Sequence, residues 1–235
     1  MLTPITKKNK TLRMKNLYKL DNINLNYHLN GNDIKVLKNI NFQIKKNERV
    51  AIIGESGSGK TSLLMLMSGL EKPSSGSITF NNEDFSKISE AEKTEIRKKK
   101  IGLVFQQFYL IPNYTALENV MFPMQINKIK NEKIKASTIL SEIGLEQRKD
   151  NLPSELSGGE QQRVAIARAI SFNPEIILAD EPTGNLDRKN TEIVSNLLIN
   201  FSKKKKISLI LVTHNMKLAK KCDRILKLFD GYIKY

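Results

Sequence analysis

The chain has 235 residues, 40% apolar and 27% charged, enough for one domain with a real core or two small lobes sharing one fold. No stretch reaches the roughly 18 consecutive apolar residues of a membrane helix, and no secretory signal opens the chain; one cysteine with two histidines excludes an intramolecular disulfide and a Cys/His metal cage. The net charge of +15 rests on Lys: only eight of the 39 basic residues are Arg, and the Lys clusters, such as Glu92 to Lys100, lack interleaved aromatics, which argues against nucleic acid as a partner. A reducing, cytosolic compartment is the expectation, and the Lys excess suits the anionic face of a membrane.

Residues 1–16 read as a mobile basic tail, with Met14 an alternative start, and a single folded domain is expected over 17–235. From Ile34 on, apolar residues alternate through Val36, Leu37, Ile40, Phe42 and Ile44, the pattern of antiparallel strands with one face on a core. Arg49 to Ile53 reads as a buried strand ending at Gly54. Thr61 to Ser68 carries Leu63 to Met67, a helix apolar on nearly every side and closed by Gly69. Ile101 to Phe105, Ile176 to Ala179 and Leu209 to Val212 are short apolar runs of the kind that form buried parallel strands. Between Tyr114 and Leu156 the pattern is helical and strand-free, so a helical subdomain is expected at approximately 107–168. The class is α/β, with binding loops at the strands' carboxyl ends.

Three motifs carry chemistry. Gly54-Glu55-Ser56-Gly57-Ser58-Gly59-Lys60-Thr61 fits a phosphate-binding loop between a strand and a helix: its glycines let N–H groups converge, Lys60 reaches the β- and γ-phosphates, and a hydroxyl of Thr61 or Ser62 binds Mg²⁺. Ile176 to Ala179 ends in Asp180-Glu181. Two adjacent acids at a buried strand end are costly without a cation, so Asp180 is expected to hold Mg²⁺, through water, and Glu181 to act as general base. The lesser alternative for Glu181, taken alone, is a cap on the following helix. Leu156-Ser157-Gly158-Gly159-Glu160-Gln161-Gln162-Arg163 opens an apolar-periodic helix, and Ser157 with its glycines makes a second helix N-terminus free to receive an anion.

That octapeptide, about a hundred residues after a phosphate loop and just before Asp180-Glu181, resembles the signature motif of ATP-binding cassette (ABC) ATPases. The resemblance covers nearly the whole chain from about residue 17. It implies a P-loop NTPase (RecA-like) core with a small antiparallel β subdomain and an inserted α-helical subdomain. It also implies a homodimer formed on ATP, in which Ser157, Gly158 and Gly159 of one subunit close on the γ-phosphate held by the other. On the same resemblance Gln106 touches Mg²⁺ and the lytic water, His214 touches the γ-phosphate, Asp187 communicates across the dimer and Tyr27 stacks on adenine. Taken alone, His214 is a strand-end histidine satisfied locally, and Tyr27 is a tyrosine before a loop. His28 and Cys222 read as loop and packing.

Pro182-Thr183-Gly184-Asn185-Leu186-Asp187, with Phe108 to Pro112 and Leu117-Glu118-Asn119-Val120, resembles the form in ATPases that drive lipoprotein release, macrolide or peptide export, and the related cell-division pair. That implies an ATPase peripheral on the cytoplasmic face of the inner membrane, powering integral-membrane permease subunits on a separate chain. The alternative is a nucleotide-gated signalling module of a cell-division or envelope complex without transported substrate. Soluble DNA-repair and translation ATPases of this type carry long coiled-coil insertions or two cassettes, and neither is found here. One departure from the family pattern is Asn47, where glycine is usual; a positive φ is expected there. Another is Thr61-Ser62 in place of Ser-Thr.

Overall fold

The structure, a computed structural model, describes residues 16–29 and 32–234. The expected basic tail lies outside the described residues except for Asn16, which opens β1. Two sheets share the molecule. β1 (Asn16–Leu29) and β2 (Asn32–Lys45) pair antiparallel, and β4 (Ser75–Phe80) and β5 (Glu83–Asp84) complete a four-stranded sheet in the order β2-β1-β4-β5. The larger sheet runs β10-β9-β3-β8-β7-β6. Its strands β3 (Arg49–Ile53), β6 (Ile101–Val104), β7 (Ile176–Asp180), β8 (Ser208–Val212) and β9 (Arg224–Phe229) are parallel, and β10 (Tyr232–Lys234) returns antiparallel to β9. A parallel sheet brings every strand's carboxyl end to one edge. The loops after β3, β6, β7 and β8 therefore open into one crevice.

Both faces of this sheet are covered, and the period of two along each strand divides its residues between two cores. Ile176, Leu178, Ile210 and Val212 join a cluster with α1 (Lys60–Ser68) and the antiparallel sheet; Ile177, Ala179, Leu209 and Leu211 join the opposite cluster under α3 (Ala116–Ile126), α5 (Gly158–Ile170) and α6 (Arg188–Lys205). Helix α4 (Glu132–Glu142) packs on α3, and two short 3₁₀ turns, Glu146–Arg148 and Pro153–Glu155, lead to α5. The helices between β6 and β7 thus bury their apolar faces in the cluster that also lines the sheet.

Several elements lay hidden in the sequence. Glu92 to Lys100 is the body of α2 (Glu90–Lys100): Ser89 and Glu92 form a capping box, in which Glu92 Oε2 accepts from Ser89 N at 2.8 Å and Ser89 Oγ accepts from Glu92 N at 3.3 Å. His28, expected in a loop, lies in β1 and pairs with Asp33. Cys222 packs against the second core, and burial pushes its thiol up to about 12, so it is an inert packing residue. Asn47 adopts φ 64°, the positive φ expected there, and donates its N–H to Ser208 Oγ at 2.9 Å.

One buried amide sets the loop after β6. Asn119, fully buried on α3, accepts from Ile111 N at 2.9 Å and donates to the carbonyls of Ile111, Tyr114 and Thr115. Replacing Asn119 by Ala leaves these main-chain groups without their partner at about 1–3 kcal/mol. Urea denaturation of Asn119→Ala is expected to show a loss of that size, with ATP affinity changed far less.

Candidate active site

Strand β3 delivers the chain to Gly54 and α1 takes it away at Lys60. Gly59 caps α1 with φ 95°, and a Cβ there would lie 2.9 Å from Leu37 Cδ2, so only glycine fits both the turn and the contact with β2. Helix α1 has no side-chain cap and no acid in its first turn. Its amino end is left to an external anion. Lys60, 8% exposed, folds back so that Nζ donates to the carbonyls of Gly54 (3.0 Å) and Glu55 (2.7 Å). The loop lines a cleft of about 630 Å³ with Gly54, Glu55, Ser56, Gly57, Gly59, Lys60, Thr61 and Ser62; Val36, Gln106, Glu181 and His214 complete the lining. Ser58 instead braces the loop, donating its N–H to Glu55 O at 3.2 Å.

Opposite the loop stands the acidic end of β7. Thr61 Oγ1 donates to Asp180 Oδ2 at 2.7 Å. Burial raises the Asp180 carboxyl above its ordinary value; the charge of Glu181 adds to this, while Thr61 and Lys60 pull the other way. Glu181 takes the left-handed conformation at φ 44°, unusual for this residue type and typical of strained functional positions. Its N–H donates to Val212 O at 2.9 Å. Its carboxylate accepts from the His214 N–H at 3.1 and 3.3 Å and lies 3.0 Å from His214 Nδ1, so β7 and β8 together aim it. Across the cleft, Gln106 Nε2 donates to Asn185 Oδ1 at 2.8 Å.

Thr61, Asp180 and Gln106 offer one hydroxyl, one carboxylate and one amide oxygen. Among the described residues no three His, Cys, Asp or Glu side chains gather into a metal cage. Such a sparse, hard donor set beside a phosphate loop fits Mg²⁺, which keeps waters and takes most of its remaining ligands from substrate phosphates.

The other expected site residues do not line this cleft, although Tyr27 lies beside Ser62, which does. Ser157 caps α5, but its end is not free as expected: Glu160 Oε2 accepts from Ser157 N at 2.9 Å and Ser157 Oγ at 2.7 Å, a capping box that holds the Glu160 carboxyl below its ordinary range. The box engages the N–H groups of Ser157 and Glu160, not those of Gly158 and Gly159. Asp187 caps α6, accepting from Asn190 N at 2.8 Å and Nδ2 at 2.6 Å. Tyr27, half-buried, donates to Glu71 Oε2 at 3.2 Å, and burial raises its hydroxyl.

This fold and site have known counterparts. The sequence profile of the ABC transporter family matches residues 37–184. The chain belongs to the ABC transporter family. It is an ATP-binding cassette and an ATPase, with the P-loop NTPase fold the sequence predicts. It is 44% identical over 207 residues to "Lipoprotein-releasing system ATP-binding protein LolD" of Legionella pneumophila (strain Paris), covering 87% of this chain and 91% of that protein. A LolD of Francisella tularensis subsp. holarctica (strain OSU18) is 46% identical over 216 residues, covering 91% of this chain and 94% of that protein. Among solved structures, "Dimeric structure of a post-hydrolysis state of the ATP-binding cassette MJ0796 bound to ADP and Pi" superposes with a TM-score of 0.86 at 41% identity, covering 93% of this chain and 97% of that one. A second dimeric MJ0796 structure, described as a bacterial ABC transporter cassette, gives the same values.

Three contributors to the cassette's site went unread in the sequence. Val36 was visible only as part of a strand alternation. Asn185 belongs to the Pro182 to Asp187 motif, in which nothing signals that it reaches Gln106. Asn190 packs so closely on α5 that a Cβ at Gly159 would lie 2.3 Å from its Cγ, which ties the Asp187 loop to the signature helix.

The raised Asp180 carboxyl has a consequence for stability. Its folded pKa exceeds the unfolded value near 3.8, so protonation favours the folded state; that contribution is full below the unfolded value and is lost as pH rises through the folded one. At neutral pH without nucleotide the ionised Asp180 is therefore a cost. Asp180→Asn is expected to raise the nucleotide-free Tm at pH 7 while abolishing turnover, with the gain shrinking as pH falls toward 4 in a thermal-melt series.

Proposed function

We propose that this ABC transporter ATPase closes as a head-to-tail homodimer on two ATP molecules and powers a separate integral-membrane permease, from a peripheral position on the cytoplasmic face of the inner membrane. The observation that carries the reading is that the cleft is half a phosphate site. The phosphate loop, Gln106, Glu181 and His214 line it, and the second helix N-terminus at Ser157, Gly158 and Gly159 does not. A second copy, with its own Ser157 to Gly159 laid across the open side, would complete the enclosure, in keeping with the dimeric MJ0796 cassettes.

In each half-site the N–H groups of Gly54 to Gly59 and the Lys60 ammonium bind the β- and γ-phosphates. Thr61 and Gln106, with Asp180 acting through water, would hold Mg²⁺, which when bound offsets charge on the β- and γ-phosphate oxygens. Glu181 accepts the proton of the attacking water, and its two contacts to His214 keep the carboxylate in line while the imidazole faces the γ-phosphate. Asp187 sits where it meets the partner, and Tyr27 provides the adenine platform. The identity of 44 to 46% to the LolD proteins supports lipoprotein extraction as the work done, ahead of peptide or macrolide-like export.

Glu181→Gln is expected to lower turnover about a hundredfold or more while retaining ATP, and to elute as a dimer with ATP and Mg²⁺ in size-exclusion chromatography with light scattering. A strict monomer under those conditions removes the dimeric reading. Lys60→Ala is expected to abolish tight ATP binding by calorimetry, and unchanged affinity defeats the phosphate-loop assignment. With the co-purified permease in vesicles, lipoprotein is expected to stimulate turnover; ATP-dependent permease binding without any substrate effect would favour the signalling module instead.

A further inference from the structure

The loop after β7 contains an amide that grips one residue of the cleft at two points. Asn185 Oδ1 accepts from Gln106 Nε2 at 2.8 Å, and Asn185 Nδ2 donates to the Gln106 main-chain carbonyl at 3.4 Å. The second contact settles which end of the Asn185 amide is which, and so which end of Gln106 it holds. Beside it, a Cβ on Gly184 would lie 2.9 Å from Gln106 Nε2 and 3.1 Å from Cδ. Gly184 is not among the positive-φ glycines, so what it supplies is room for the Gln106 side chain and not an unusual turn.

A glutamine offers a cation or a lytic water's proton only its oxygen; its NH₂ end is a donor and repels a metal. An untethered Gln106 presents either end to the cleft. With Nε2 tied to Asn185, Oε1 is the end that remains, and it makes no hydrogen bond to the described residues.

The geometry points to Asn185 as a positioning residue that orients the Gln106 carboxamide oxygen for the metal–nucleotide site, with Gly184 supplying the slot. The inference rests on the reading of Gln106 as a Mg²⁺ and water contact. Partners that orient a metal's ligands commonly change metal affinity or activity by about tenfold or more when removed.

The test uses the full-length chain with Asn185→Ala, Gly184→Ala, Gln106→Ala and the Gln106→Ala/Asn185→Ala pair. Two quantities are read: the Mg²⁺ concentration at half-maximal turnover, and the gain in ATP affinity that Mg²⁺ confers, measured by calorimetry in the hydrolysis-silent Glu181→Gln background. Asn185→Ala and Gly184→Ala are each expected to raise the Mg²⁺ midpoint about tenfold and to shrink the Mg²⁺-dependent gain, leaving Mg²⁺-free ATP affinity and Tm near those of the parent. Gly184→Ala works by crowding Gln106 with Asn185 intact, so agreement between the two separates orientation from loop collapse. In the Gln106→Ala background, Asn185→Ala is expected to add nothing. Additive effects, or a Mg²⁺ midpoint unmoved by Asn185→Ala while Gln106→Ala shifts it, overturn the positioning role alone. A midpoint unmoved by Gln106→Ala overturns the reading of Gln106, and the inference with it.

Discussion

Two carboxylates side by side at the end of a buried strand are the constraint around which the rest is arranged. Asp180 and Glu181 cannot both be comfortable in a half-dehydrated crevice without positive charge nearby, and the raised Asp180 carboxyl records that tension. The molecule manages it with hydrogen bonds: Thr61 donates to Asp180 from the first residues of α1, and the His214 main chain donates to Glu181 from the end of β8. Those bonds join the phosphate loop, β7 and β8 into one rigid rim. What they leave unsatisfied is charge, which a phosphate-bound cation would supply.

The sheet makes that rim possible. Because β8 lies between β3 and β7, the phosphate loop and the acidic pair follow strands that are one apart in the sheet, and Thr61 at the start of α1 closes the gap to Asp180. Alternation along β7 and β8 sends neighbouring side chains into opposite cores, so a one-residue slip of either strand would push each set into the wrong core and spoil the packing of both. The precision of the site is thus inherited from packing on both faces.

The amino end of α5 behaves differently from that of α1. Helix α1 has no side-chain cap, whereas α5 caps itself through Ser157 and Glu160. A phosphate arriving at Ser157 must compete with the Glu160 carboxylate for the hydroxyl, while the N–H groups of Gly158 and Gly159 lie outside the box. On the proposed dimer, the difference would suit a surface that spends part of its cycle in water: satisfied when open, exchanged when a second subunit closes. Asn190, bonded to Asp187 and packed on Gly159, links that surface to the loop after β7.

Residues adjacent in the chain were legible from the sequence. Gly54 to Thr61 as a strand-to-helix turn, Asp180-Glu181 as a strand end and Ser157 as a helix cap each show their local structure within a few positions, because a turn or a helix cap is a local object. The buried strands were legible because burial on both faces leaves unbroken apolar runs. Helix α2 is not evident in the sequence, since its apolar content is slight and its capping box lies within a Lys-rich stretch; nor are β5 and β10, very short edge strands, or β4 and β9, six-residue strands inside their sheets, all of which depend on their neighbours for pairing. Contacts between distant positions were decided only by the tertiary structure: Thr61 on Asp180, Asn185 on Gln106, Val36 in the cleft. Such contacts depend on how helices and strands stack, a property of the packed cores that no local pattern of side chains encodes.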